Sequence, residues 1–307
     1  MLSSLVIIFQ KGIILFLMIL VGYLCGKIGM ISKRGAQQIT SLILYIVTPC
    51  LTISSLQSII GKIGIWNIIL CAVLAFAAMS AAILISMLFF RKSPPERKKV
   101  FRFASAYSNC GFMGIPLVEA ILGSTGVAYA AMFGAVYNFF VWSHGLKTMS
   151  GGQPLRLKQI LLNPGILGLV IGLPLFAASY RIPDIIEAPM ISFAALNTPL
   201  AMLVIGNYIS RVDLKELFID IDLYRLAAVK LAAVPVIIFL LLLPFHFDKA
   251  VATTVLLLSA APSGANTAMF AAQFGGDAKL ASKAVALTTL ISMLTMPVFS
   301  AMANQFF

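Results

Sequence analysis

From its first residues to its last, the chain is a succession of apolar runs of roughly 20 residues, the length a helix needs to cross the ~30 Å hydrocarbon core of a bilayer. No motif limits the fold as strongly. A backbone in hydrocarbon must satisfy its own N–H and C=O groups, so these runs have to be helices packed into an all-α, polytopic membrane protein. Composition agrees: of 307 residues, 61% are hydrophobic and 10% charged, with a mean hydropathy of +1.02, which leaves no soluble domain of useful size. The opening run has no basic leader segment and no small-residue cleavage site, so it reads as a first span and not a signal peptide.

Apolar runs and the loops between them give ten expected spans: 2–26, 35–60, 65–90, 98–122, 125–146, 158–179, 187–210, 222–243, 248–273 and 279–305. When the 22 Lys and Arg residues are assigned to alternating sides, only Lys11, Lys62, Arg181 and Lys249 oppose the majority, and Lys230 lies within a span. The positive-inside rule makes the majority side cytoplasmic and places both termini outside. The net charge of +12 is spread over short loops between spans. It therefore points to topology and anionic membrane lipid as the contact, and away from nucleic acid. Cys25, Cys50, Cys71 and Cys110 fall within spans without CxxC spacing and read as small buried hydrophobes.

The two halves superpose at an offset of about 150 residues, the signature of a repeat transporter. "VTPCL" at 47–51 falls on "NTPLA" at 197–201, and "ERKKVFRFASAYSNC" at 96–110 on "DKAVATTVLLLSAAP" at 248–262. Residues 1–150 and 151–307 thus form two five-helix repeats. An odd number of spans makes the second enter the membrane from the opposite side, so the repeats are inverted.

Spans 4 and 9 carry matching interruptions. In span 4, Gly111 and Gly114 ease irregular backbone, and Pro116 cannot donate to the Phe112 carbonyl. Span 9 has Pro262, Ser263, Gly264, Asn266 and Thr267. Broken backbone at membrane depth belongs where it lines a cavity, and each break exposes N–H groups of positive dipole character. An anion is the favoured guest, with Asn109 and Asn266 as amide donors and Ser108, Ser263 and Thr267 completing the shell around a carboxylate or coordinating a cation. Kinked helices whose asparagines satisfy freed carbonyls are the competing explanation. Thr48 with Pro49, and Asn197 and Thr198 with Pro199, are second candidates for the cavity wall; prolines with hydroxyl caps explain them equally.

Among ionisable residues, Glu119 reads either as a proton or cation site or as an interfacial carboxylate. Lys230 and Lys283 are expected to snorkel to the cytoplasmic surface. His144 and His246 lie near span ends on opposite sides, which argues against zinc. No HExxH, nucleophile–base pair or intramembrane Asp pair supports an enzyme.

At "SNCGFMGIPLVEAILGSTGVAYA" (108–130), "LLNPGILGLVIGLPL" (161–175), "NTPLAMLVIGNYI" (197–209) and "SAAPSGANTAMFAAQFGGD" (259–277), the chain resembles the auxin efflux carrier family. That family includes plant PIN-type carriers and bacterial permeases described as malate or malonate transporters. The resemblance covers essentially the whole chain. It implies a ten-helix inverted-repeat fold similar to that of bile acid sodium symporters, with scaffold and transport domains each drawn from both repeats and a crossover made by spans 4 and 9. It also implies that Asn109 contacts a substrate carboxylate and that Pro116 and Pro262 are the crossover prolines. Only "KTMSGGQPLRLK" joins spans 5 and 6, so the long loop of plant members is absent.

The expected function is therefore secondary transport of a small organic anion by elevator-type alternating access in a bacterial inner membrane. No cofactor is expected beyond a coupling H+ or Na+, and a homodimer is a candidate assembly. A sodium-coupled symporter of a bulkier organic anion, and a non-transporting sensor or channel, are the alternatives.

Overall fold

The computed structural model describes residues 2–151, 164–211, 217, 219–274 and 276–307. The expected start of a span at 158–163 lies outside them. Every extended element among the described residues is helical, and the β pairing there is one isolated bridge, Ser108 with Ser263.

The helices are α1 (Leu2–Lys27), α2 (Lys33–Leu42), α3 (Thr48–Ser58), α4 (Ile65–Phe89), α5 (Pro95–Ala106), α6 (Ile115–Phe140) and α7 (Leu146–Ser150). After them come α8 (Pro164–Ala177), α9 (Asp184–Ala194), α10 (Asn197–Ser210), α11 (Ile221–Ala228), α12 (Val234–Leu242), α13 (Lys249–Ala260), α14 (Asn266–Gln273) and α15 (Ala278–Phe306). Six helical stretches are long and apolar enough to cross a membrane: Lys33–Ser58, Ile65–Phe89, Cys110–Ser150, Asp184–Ser210, Ile221–Phe245 and Ala278–Phe306. Ile13–Lys27, Leu167–Ala177 and Lys249–Ala260 are shorter apolar helices.

The spans expected at 35–60, 65–90, 187–210, 222–243 and 279–305 coincide with five of these stretches to within a few residues. Those at 98–122 and 125–146 differ in kind. The first is cut in two, and its second part runs on into the next with Gly123 alone as the turn, at φ +61° and ψ −150°. A side chain resists that conformation, so the loop expected between the spans shrinks to one glycine.

Prolines are accommodated by a repeated device. Wide π-turns at Ile43–Val47, Cys110–Gly114 and Val229–Ala233 stand immediately before α3, α6 and α12, and Pro49, Pro116 and Pro235 are the second residues of those helices. Proline lacks an N–H and clashes with the carbonyl four residues back. Widening the preceding turn moves that carbonyl away, and the backbone stays in the right-handed helical region through each junction, at Val47, Gly114 and Ala233. Pro116 is therefore not where span 4 breaks: the non-helical residues are Tyr107–Asn109, upstream of it.

Two Gly-x-x-x-Gly pairs set the tightest helix crossings. Gly22 and Gly26 of α1 lie against α10, where a Cβ on Gly22 would strike the Leu203 carbonyl and one on Gly206 the Ile19 carbonyl. Gly168 and Gly172 of α8 lie in the same way against Pro49, Thr52, Ile53 and Leu56 of α3. Without a hydrophobic drive between helices in lipid, such close backbone packing is the main source of association. At the basic end of α5, Arg97 forms ion pairs with Asp220 and Asp222. Arg97 and Asp220 line a cleft of about 420 Å³ with Ile219 and Lys283.

Candidate functional site

The two interrupted helices break for different chemical reasons. On one arm α13 ends at Ala260, and Ala261 is extended (φ −60°, ψ 149°) because Pro262 follows it. On the other, α5 ends at Ala106, and Asn109 acts as the cap of the next turn: its Oδ1 accepts from the Phe112 N–H at 3.3 Å. Between each pair of half-helices a short extended strand is left with polar backbone at the centre of the fold.

The strands satisfy each other. Asn109 N donates to the Pro262 carbonyl at 2.6 Å, and Gly264 N donates to the Tyr107 carbonyl at 2.9 Å. Their serines exchange caps: Ser108 Oγ donates to the Ser259 carbonyl at 3.2 Å, and Ser263 Oγ donates to the Ala104 carbonyl at 2.8 Å. Each hydroxyl thereby satisfies a last-turn carbonyl of the opposite half-helix, which water would otherwise have to reach. Ser263 N donates further to Thr288 Oγ1 at 3.1 Å. The strands approach closely at Gly264, where a Cβ would sit 3.1 Å from both the Ser108 carbonyl and the Tyr137 hydroxyl.

Lys230 enters this cluster and corrects the sequence-based expectation. It does not snorkel: it is 0% exposed, and Nζ donates to Ser108 Oγ at 2.6 Å and to the Ser259 carbonyl at 3.2 Å. Its place in the wide turn Val229–Ala233 aims the side chain inward. One signal marked it in advance, since it is the basic residue that falls on neither side of the membrane.

The remaining candidates divide into two groups. Asn109 is 6% exposed, and with Oδ1 engaged as a cap its amide nitrogen makes no hydrogen bond to another described residue. Gly111 is exposed and a Cβ there would meet nothing within 4 Å, so the turn opens onto free space on that side. Gly114 instead packs against Leu258 of α13, and Pro116 is buried. Thr267 is fully buried with its hydroxyl unpartnered among the described residues, and Asn266 is half-buried with its side chain in hydrogen-bonding reach of the Tyr137 hydroxyl. Among the described residues, no hydrogen bond joins Asn109 to Asn266.

Glu119, Asn197 and Thr198 form a second group. Thr198 Oγ1 donates to Glu119 Oε2 at 3.1 Å, and the Asn197 amide nitrogen is buried without a partner among the described residues. Thr48 is half-buried at the start of α3, following a wide turn. His144 serves the crossover from outside: its Nδ1 lies 2.9 Å from the Tyr107 hydroxyl, whose one proton goes to the Phe140 carbonyl at 3.0 Å. Among the described residues the four cysteines are free and no cluster has the make-up of a metal site.

Chemically, the centre offers donors more than acceptors. In the Cys110–Gly114 turn the N–H groups of Phe112, Met113 and Gly114 bond to Asn109, which leaves those of Cys110 and Gly111 without a backbone acceptor among the described residues, and the Asn109 amide and the Lys230 amine add to them. Donors of this kind at a helix start are the chemistry that binds anions.

Polar backbone from two helix breaks, joined between helices apolar enough to cross a bilayer, defines an integral, multi-pass membrane protein with an internal polar centre. More particularly, the chain belongs to the membrane transport protein family, whose model matches residues 7–154 and 152–300. This is the auxin efflux carrier group that its motifs resemble. It is similar to a Rhizobium meliloti protein named "Putative malonate transporter", 24% identical over 91% of each chain. It is also similar to a protein of Methanothermobacter thermautotrophicus named "Uncharacterized transporter", 23% identical over 92% of this chain and 94% of that one.

Proposed function

We propose that this membrane transporter is a secondary carrier of a small organic carboxylate, which binds at the crossover and moves by elevator-type alternating access. The reciprocal serine caps carry the reading. They tie two half-helices into one rigid polar unit while the turn at Gly111 opens onto free space. The Asn109 amide and the Gly111 backbone supply donors to the anion from one arm, with Asn266 and Thr267 facing it from the other, while Gly114 N–H and Ser263 are spent on the Asn109 carbonyl, Thr288 and Ala104 within the crossover. Pro116 and Pro262 hold the two arms in register.

The mechanism calls for an inverted repeat of residues 1–150 and 151–307. The exchange Ser108 to Ser259 and Ser263 to Ala104 has the form of a two-fold operation. The pairing of α1 with α10 through Gly22 and Gly26 has its counterpart in α8 with α3 through Gly168 and Gly172. In this arrangement those glycine-packed helices belong to the scaffold, with α5, α6, α13 and α14 in the moving part. The termini face outward by the distribution of Lys and Arg, in a bacterial inner membrane. The malonate in the name of the Rhizobium relative makes a short dicarboxylate the first substrate to try.

Uptake of radiolabelled malonate, malate and indole acids into proteoliposomes tests the proposal. Saturable uptake of at least one acid is expected, and uptake of none by folded protein would overturn it.

A further inference from the structure

We infer that the Lys230 ammonium is the resident cation of the crossover, holding the place that a co-transported metal ion would otherwise take, so that carboxylate uptake needs no sodium. The inference rests on the carrier reading and names its charge balance.

The last turn of α13 ends inside the protein, where its carbonyls and the negative end of the helix dipole need a donor or a cation. Two oxygens converge there, Ser108 Oγ and the Ser259 carbonyl, which is the hard-oxygen chemistry that small cations select. Lys230 Nζ fills that position, reaching it from a separate helix with the side chain wholly buried. The hydroxyl of Ser108 both accepts from Nζ and donates to Ser259, so the amine is locked into the cap that joins the two arms. On the symmetric side Ser263 has no such amine: its backbone N–H uses Thr288 and its hydroxyl caps Ala104.

Among the described residues no carboxylate bonds to Lys230, and the carboxylate of span 4, Glu119, is bonded to Thr198. Burying an unpaired ammonium at membrane depth is costly. A carboxylate bound at Asn109, the residue next to Ser108, provides the missing counter-charge, and substrate and lysine then stabilise each other.

Wild-type uptake of radiolabelled malonate, malate and an indole acid is measured in sodium medium and in N-methylglucamine medium. The same acids are given to Lys230→Met, a neutral variant of similar shape that removes a buried charge. Equal wild-type uptake in both media is expected. The Lys230→Met protein is expected to melt no lower than wild type but to show a KM raised at least about tenfold. A wild type that needs sodium, or a Lys230→Met protein with unchanged KM, overturns the assignment and leaves the carrier intact. A Lys230→Met protein that does not fold makes the lysine structural, unless Lys230→Arg folds and transports without sodium, which supports the assignment. Failure of the wild type to take up any acid in either medium overturns the carrier reading itself.

Discussion

Ser108 and Ser263 form an antiparallel bridge in which each serine hydroxyl caps the half-helix that leads to the other. This makes the broken backbone of two helices self-sufficient without water. It also leaves the opposite ends of the breaks, the N-terminal ends of the following helices, for the ligand proposed above. The two serines are not equivalent, because Ser108 alone also accepts from Lys230.

That asymmetry predicts unequal mutants. Ser263→Ala removes one hydroxyl–carbonyl bond and is expected to cost about 1 kcal/mol. Ser108→Ala removes a similar bond and strands one N–H of a buried amine, adding roughly another 1–3 kcal/mol. Melting curves of the two purified variants should rank Ser108→Ala lower, and equal melting would break the link to Lys230.

Asn109 has two separable duties, its Oδ1 capping Phe112 and its amide nitrogen facing the proposed anion. Asn109→Asp keeps an acceptor for the cap but replaces the donor with a negative charge. It should therefore melt within about 1 kcal/mol of wild type while losing nearly all uptake. Asn109→Ala should lose both, and an active Asn109→Asp would remove the residue from the site.

The glycines of the crossover should behave in opposite ways. Gly111→Ala meets open space and should leave folding unchanged, whereas Gly264→Ala drives a methyl against the Ser108 carbonyl and the Tyr137 hydroxyl and should cost about 1–3 kcal/mol. Yield of monodisperse protein and its melting temperature separate the two variants.

At the crossing of α1 with α10, Gly206→Leu should be the most damaging single substitution proposed. Its side chain would have to displace the backbone of Ile19 to Tyr23, which cannot move aside as a side chain can. Loss of folded protein is expected, where Gly29→Ala, in an open turn at φ +78°, should cost far less. A folded, active Gly206→Leu protein would contradict the close crossing.

Much of this was legible in the sequence because lipid imposes simple rules. Run length located five of the six long apolar stretches, and paired Gly–Pro interruptions marked the neighbourhood of the irregular backbone. The position of the first break was misread because Pro116 looked like its cause, whereas the wide turn at Cys110–Gly114 absorbs the proline and Asn109 makes the break. The inward course of Lys230 was hidden for a related reason: its depth is compatible with snorkelling, and only the packing of Val229–Ala233 against the crossover decides its direction. Pairings such as Thr198 with Glu119 join residues far apart in the chain and have no local signature.

Counterflow tests the central claim most directly. Proteoliposomes loaded with unlabelled malonate or another accepted acid are diluted into a trace of the labelled acid, and its transient accumulation is followed. An alternating-access carrier with its site at the crossover predicts accumulation above equilibrium that disappears in Asn109→Asp. Simple equilibration, or accumulation that survives Asn109→Asp, would contradict it.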